Sequence, residues 1–91
     1  MTVIYVDGVF DLFHYGHIEF LKKAKNLGSK LIVGVVTDKD VESYKRTPII
    51  SQKHRINMLK YCTLVDEIIE NPPLFIDEDF IKKHNIDLIV H

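Results

Sequence analysis

Tryptophan is absent from this 91-residue chain, and cysteine occurs once, at Cys62. A single cysteine excludes an internal disulfide. In its apolar helical setting, Cys62 is expected to serve as a small buried hydrophobe. Charge of one sign is lacking as well: 12 Lys and Arg stand against 13 Asp and Glu, for a net charge of −1. That balance excludes bulk electrostatic attachment to nucleic acid or to an anionic membrane, so an anionic ligand must be held by a few placed groups. No apolar run reaches the roughly 18 residues that a membrane-spanning helix needs. Repeats, low-complexity tracts and linkers are missing too. Met1 leads almost directly into an apolar strand, so no leader is expected and a cytoplasmic location is. What remains is 46% hydrophobic and 27% charged. It reads as one domain, residues 1–91, with a real but small core.

The apolar residues alternate between strand-like and helix-like spacing. Val3–Val6 is a short β-branched strand. Gly16 to Leu27 carries Ile18, Leu21, Ala24 and Leu27 three apart, with Phe20 beside them, and predicts a helix that Gly28 ends. Leu31–Val36 is apolar on both faces, as in a buried parallel strand. A short helix is expected from Asp38 to Tyr44, and Pro48 keeps 46–50 a loop. Ser51 is placed to cap the next helix, whose apolar side is Ile56, Leu59 and Cys62 with Met58. Asp66–Ile69 is a third strand, broken by Asn71, Pro72 and Pro73. Asp77–His84 is a helix with acids in its first turn and bases in its last. Asp87–His91 is a fourth strand. This order defines an α/β fold, a Rossmann-like parallel sheet with helices on both faces. Ligands of such sheets sit beyond the carboxyl ends of the strands, where strand order reverses. The turn from Asp7 to His17, the segment from Thr37 onward, and His91 all fall there.

The turn reads VDGVFDLFHYGH, from Val6 to His17. Its two histidines, three apart, allow three chemistries. Zinc would need three or four protein ligands. Asp11 could be a third, but no cysteine pair or helical His-Glu-x-x-His pattern accompanies it. A packed core pair is the second possibility. A phosphate cradle is the third: Gly8 and Gly16 let backbone approach an anion, the helix start presents unpaired N–H groups, and His14 and His17 donate ring N–H bonds. Asp11 orients a histidine or the turn, or is structural. Lys45 lies in a polar loop, where most lysines are only solvated. Arg55 reads as a solvated helix residue, a partner of Asp66 or Glu67, or a group that orders the site or a dimer contact. Asp38 could be a cap or a site residue.

The run Gly8-Val9-Phe10-Asp11-Leu12-Phe13-His14-Tyr15-Gly16-His17 resembles the signature of the cytidylyltransferases, within the nucleotidylyltransferase superfamily with its HxGH motif. The likeness continues through Leu31–Asp38, Lys45, His54-Arg55, Leu64–Ile69 and Asn85–His91. The resemblance implies a nucleotidylyltransferase-type fold and transfer of a cytidylyl group from CTP to a phosphorylated alcohol in phospholipid synthesis. It implies backbone contacts to the nucleotide from Gly8, Val9 and Phe10, with Asp11 and Gly16 in the same turn and His91 also at the nucleotide. His14, His17 and Lys45 become the catalytic set, Lys45 reaching the phosphates of both substrates. Mg²⁺ is expected with CTP, with no metal held by the protein itself, and a homodimer is expected.

Phosphocholine and phosphoethanolamine are the expected acceptors, with glycerol 3-phosphate as the alternative. The strand ending in His91 and the segment Asp66–Leu74 resemble the choline and ethanolamine branches. Leu74 stands where choline enzymes carry a tryptophan, which forfeits a cation–π face worth roughly 0.5–2 kcal/mol. His54-Arg55 and His84–Asp87 also occur in glycerol-type sequences. The family carries a further Arg-Thr-x-Gly-Ile-Ser-Thr segment opening a last helix that grips CTP. The chain ends on a strand without it. A cytidylyltransferase catalytic domain cut short, with weak or no turnover for these 91 residues alone, is the expectation, and a truncated nucleotide-binding fragment without catalysis is the alternative.

Overall fold

The computed structural model describes residues 2–11, 15–43, 49–73 and 75–90. Four strands form one parallel sheet: β1 (Val3–Gly8), β2 (Lys30–Val35), β3 (Glu67–Ile69) and β4 (Leu88–Ile89), in the order β3-β2-β1-β4. The helices are α1 (Tyr15–Lys25), α2 (Asp38–Glu42), α3 (Gln52–Lys60) and α4 (Glu78–His84). From β1 the chain steps outward to β2 and β3, then returns across the sheet to pair β4 with the other side of β1. Strand order therefore reverses between β1 and β4, and the carboxyl end of β1 opens onto that switch point.

Alternation along the central strands builds two cores. Ile4, Val6, Leu31, Val33 and Val35 point to one face, where Leu21 and Ala24 of α1 and Ile56 and Leu59 of α3 cover them. Val3, Tyr5 and Ile32 point to the other, against Phe80 and Ile81 of α4 and against Ile86. Helices thus lie on both faces, as expected. The helix faces are narrower than their spacing predicts. Ile18, Leu27 and Met58 are exposed, because Leu21 with Ala24, and Ile56 with Leu59, already span the strands beneath. Cys62 lies beyond the end of α3 rather than within it, half-buried against the first core.

Helix starts depart from expectation in instructive ways. Ser51 holds the N-cap position of α3 but makes no side-chain cap bond. The Gln52 N–H instead donates to the Asp38 carboxylate at 3.3 Å. Asp38 does not cap its own helix: Thr37 does, accepting from the Asp40 N–H at 3.1 Å. Asp77 sits just ahead of α4 and caps it, accepting from the Phe80 N–H at 2.9 Å. Asn85 closes α4 in the left-handed conformation, and Asp87 then accepts from the Val3 N–H at 2.7 Å, tying β4 to the start of β1.

Gly34 is fixed by a neighbour across the sheet. A Cβ there would stand 2.1 Å from the Tyr5 Oη and 3.1 Å from the Pro72 Cβ. Burial, then the neighbouring Asp7 carboxylate, push the Tyr5 phenol well above its ordinary range. Asp7 is close enough to act on the hydroxyl, yet Oη makes no well-formed hydrogen bond among the described residues. Gly34→Ala is expected to cost about 3 kcal/mol, the upper end for overpacking, and to lower Tm by roughly 12–24 °C in a domain of this size. Adding Tyr5→Phe should recover much of that loss, because it removes the nearest clashing atom. A melting curve for Gly34→Ala that overlays the wild type contradicts this packing.

On the opposite edge, Asp66 accepts from the Lys25 ammonium and from the Leu31 N–H at 2.7 Å. The Lys25 bond first, then the Leu31 bond, hold its carboxyl below the usual range. A depressed folded-state pKa contributes stability that is present above the unfolded value of about 3.9 and is lost as pH falls through the folded value. The stability difference between wild type and Asp66→Asn should therefore shrink as urea midpoints are followed from neutral to acid pH. A difference that stays constant contradicts the assignment.

Candidate active site at the carboxyl end of the central strand

Gly8 ends β1, and its carbonyl accepts from the Val36 N–H at 3.0 Å, so the turns after β1 and β2 begin side by side. Beyond it, Phe10 takes φ 54°, the left-handed region, which costs a non-glycine residue about 1–3 kcal/mol and persists only where the surroundings impose it. Here they do. The Phe10 side chain is buried in the first core. Its ring folds back over Gly8, where a Cβ would meet it at 3.0 Å. A glycine at this position leaves room for that ring. The other face of the ring system is His17, set edge-on to Phe10 with centroids 5.5 Å apart and planes at 65°.

Asp11 has a definite task. Its two oxygens accept from the Ile49 N–H at 2.8 Å and the Ile50 N–H at 2.7 Å. It joins the β1 turn to the residues leading into α3, which accounts for it as an organiser of the turn and leaves its oxygens ill placed to serve as a third zinc ligand. Among the described residues no three His, Cys, Asp or Glu side chains gather as a metal site.

The largest correction concerns Arg55. It is neither solvated nor paired with Asp66 or Glu67, which are matched to Lys25 and Lys30 instead. Arg55 is 0% exposed. Its Nε donates to the Ile50 carbonyl at 3.1 Å, and one terminal nitrogen donates to the Val9 carbonyl at 2.7 Å and the Val36 carbonyl at 2.9 Å. The other terminal nitrogen binds the Asp38 carboxylate. One guanidinium thus collects the turns after β1 and β2 and the entry to α3. The Val9 carbonyl is committed to it. The signal in the sequence was weak, since an arginine one turn into a polar helix usually faces water.

Gly8, Val9, Phe10, Asp11, Gly16 and His17 are therefore brought together at the switch point, with α1 starting above them. His14, Lys45, Leu74 and His91 lie outside the described residues. Asp7, which the motif reading passed over, adds a half-buried carboxylate at the carboxyl end of β1, two residues past the last β1–β4 pair.

A parallel sheet with helices on both faces and strand order reversing beside its first strand defines a Rossmann-like α/β domain. The family model described as cytidylyltransferase-like matches residues 5–91, and the chain belongs to that family. It is 42% identical to an ethanolamine-phosphate cytidylyltransferase of Arabidopsis thaliana, covering 97% of this chain and 22% of that one. It is 38% identical to choline-phosphate cytidylyltransferase A of Rattus norvegicus, covering 97% and 24%. The chain thus spans about a quarter of the length of these curated relatives. A solved structure, the lipopolysaccharide core biosynthesis protein from Thermoplasma volcanium, superposes with a TM-score of 0.86 at 29% identity, over 98% of this chain and 72% of that one.

Proposed function

We propose that this domain transfers the cytidylyl group of CTP to a phosphorylated amino-alcohol, phosphoethanolamine or phosphocholine, and releases pyrophosphate. The observation that carries this reading is the match to the cytidylyltransferase-like family over residues 5–91, coinciding with a turn that sets His17 at the start of α1 beside the switch point. A phosphate oxygen of the acceptor attacks the α-phosphorus, the α–β phosphoanhydride bond breaks, and pyrophosphate leaves with the bonding electron pair. The nucleophile is already ionised, so the protein has no strong base to supply. Its task is positioning and neutralising charge on the phosphoryl oxygens. His14 and His17 donate to CTP phosphates, the α1 start adds N–H groups, and Lys45 acts as a flexible point charge between the two substrates. Mg²⁺ bound to the triphosphate itself would supply further charge neutralisation.

The curated relatives, ethanolamine-phosphate and choline-phosphate cytidylyltransferases, favour the amino-alcohols over glycerol 3-phosphate as acceptors. Supplying the full-length gene product with CTP and phosphoethanolamine, phosphocholine or glycerol 3-phosphate in turn, and following the CDP-alcohol, tests the reading. Product is expected with an amino-alcohol and least with glycerol 3-phosphate. No product with any acceptor rejects it.

A further inference from the structure

We propose that Arg55 is a positioning residue for this reaction. It fixes the turn after β1, on which Phe10 supports His17, against residues 49–50 at the entry to α3, without touching either substrate. The proposal rests on the cytidylyl-transfer reading and deepens it. Its basis is one buried guanidinium holding the carbonyls of Val9, Val36 and Ile50 at 2.7–3.1 Å together with the Asp38 carboxylate.

The geometry shows what depends on it. Val9 immediately precedes Phe10, whose left-handed backbone needs its neighbours held. Arg55 anchors the carbonyl on the near side of that residue, and the buried ring anchors the other. The same ring supports His17 edge-on. A path of direct contacts therefore runs from Arg55 through Val9 and Phe10 to His17. On its second side, Arg55 holds the Ile50 carbonyl, while Asp11 takes the N–H groups of Ile49 and Ile50. Residues 49–50 are thus gripped from both ends by groups belonging to, or bonded to, the β1 turn. They directly follow the segment containing Lys45. Arg55 and Asp11 act as one clamp that holds the turn after β1, and through Phe10 the His17 ring, against the entry to α3.

Only arginine fits this use. The four bonds come from three nitrogens of one rigid plane aimed at four separate acceptors. A lysine ammonium carries three donors on one atom and cannot span them. Misplacing charge-stabilising groups by even about 1 Å costs on the order of 100-fold in rate. The loss should fall on kcat, because the groups concerned act most strongly as charge develops in the transition state.

Arg55→Lys is compared with wild type, with Asp11→Asn, with the double variant, and with Val3→Ala as a destabilised control at the remote end of β1. All are assayed at a temperature where each is folded. Arg55→Lys is expected to lose kcat by about 100-fold, with the KM for CTP changing by less than about tenfold. The double variant should be little worse than the worse single variant, the mark of two residues acting as a unit. Amide exchange at Ile49 and Ile50 should quicken by at least about tenfold in Arg55→Lys while the amides of Tyr5 and Ile32 stay protected. Val3→Ala should keep the wild-type kcat. An active wild type whose Arg55→Lys variant keeps kcat within about threefold overturns the proposal alone. So does a Val3→Ala variant that loses kcat equally. A wild type inactive with every acceptor overturns the reaction itself, and the positioning role with it.

Discussion

Replacing His17 by alanine is expected to lower kcat by about 10²–10³-fold, the loss typical of removing one preorganised donor from a developing oxyanion. The geometry makes that variant informative. His17 is half-buried near the start of α1, its ring resting edge-on against Phe10. An aromatic pair of this kind contributes about 0.5–1.5 kcal/mol beyond its buried area. His17→Ala should therefore stay folded, with a modest fall in Tm, while losing most of its turnover. If the histidine were only a packing residue, stability and turnover would fall together, and His17→Phe would restore both. Under the phosphate-donor account, His17→Phe restores stability and leaves turnover low. Steady-state kinetics alongside thermal melts separates the two outcomes.

Arg55→Ala is expected to be the most damaging single change to the fold. Removing it leaves the carbonyls of Val9, Val36 and Ile50 without their donor. Stranded buried acceptors cost about 1–3 kcal/mol each where water cannot reach them. Asp38, by contrast, is 42% exposed on its side chain, so water can take over much of what the guanidinium supplied. The carbonyls therefore dominate the cost, and the total should be about 3–5 kcal/mol, the range for breaking a buried charged network. Against a domain stability of about 5–15 kcal/mol, that is a large fraction. Tm should fall by roughly 15–30 °C. Asp38→Asn keeps an amide oxygen to accept from the guanidinium and leaves the three carbonyl bonds in place, so it should cost clearly less than Arg55→Ala. Chemical denaturation of the pair checks the ranking. Asp38→Asn as damaging as Arg55→Ala would place the energy in the ion pair and contradict the carbonyl account.

The architecture was largely legible in the sequence because apolar spacing and burial agree in the sheet. Leu31–Val36 is apolar on both faces and became the inner strand β2, covered by α1 and α3 on one side and facing the α4 core on the other. Short segments kept their type and shifted only at their ends. β1 runs on through Gly8 because that residue still pairs with Val35. Capping was less legible, since Ser51 looks the same whether its own oxygen or a distant Asp38 serves the helix start. The site divides in the same way. The position of the turn after β1 and of the helix start that follows could be read from Gly8 and the apolar spacing of α1, because glycines and helix starts have local meaning. A site-ordering role for Arg55 is among its sequence readings, but its three carbonyl partners are not legible there, because segments 5 to 46 residues away contribute them. The left-handed backbone of Phe10 was equally hidden, since nothing in a phenylalanine announces it. Asp11 was visible as an organiser, but its partners Ile49 and Ile50 are 38 and 39 residues distant.

These long-range bonds place the chemistry. A parallel sheet gathers the ends of β1 and β2, Arg55 and Asp11 lock the turns that follow, and the start of α1 presents His17 where an anion can meet it. The central claim is that this turn holds the phosphates of CTP. Phosphorus NMR of CTP titrated with the protein tests it most directly. The account predicts that the triphosphate resonances shift and broaden with wild type, and that His17→Ala, though folded, largely abolishes the change. Triphosphate resonances that respond equally to wild type and His17→Ala would contradict it.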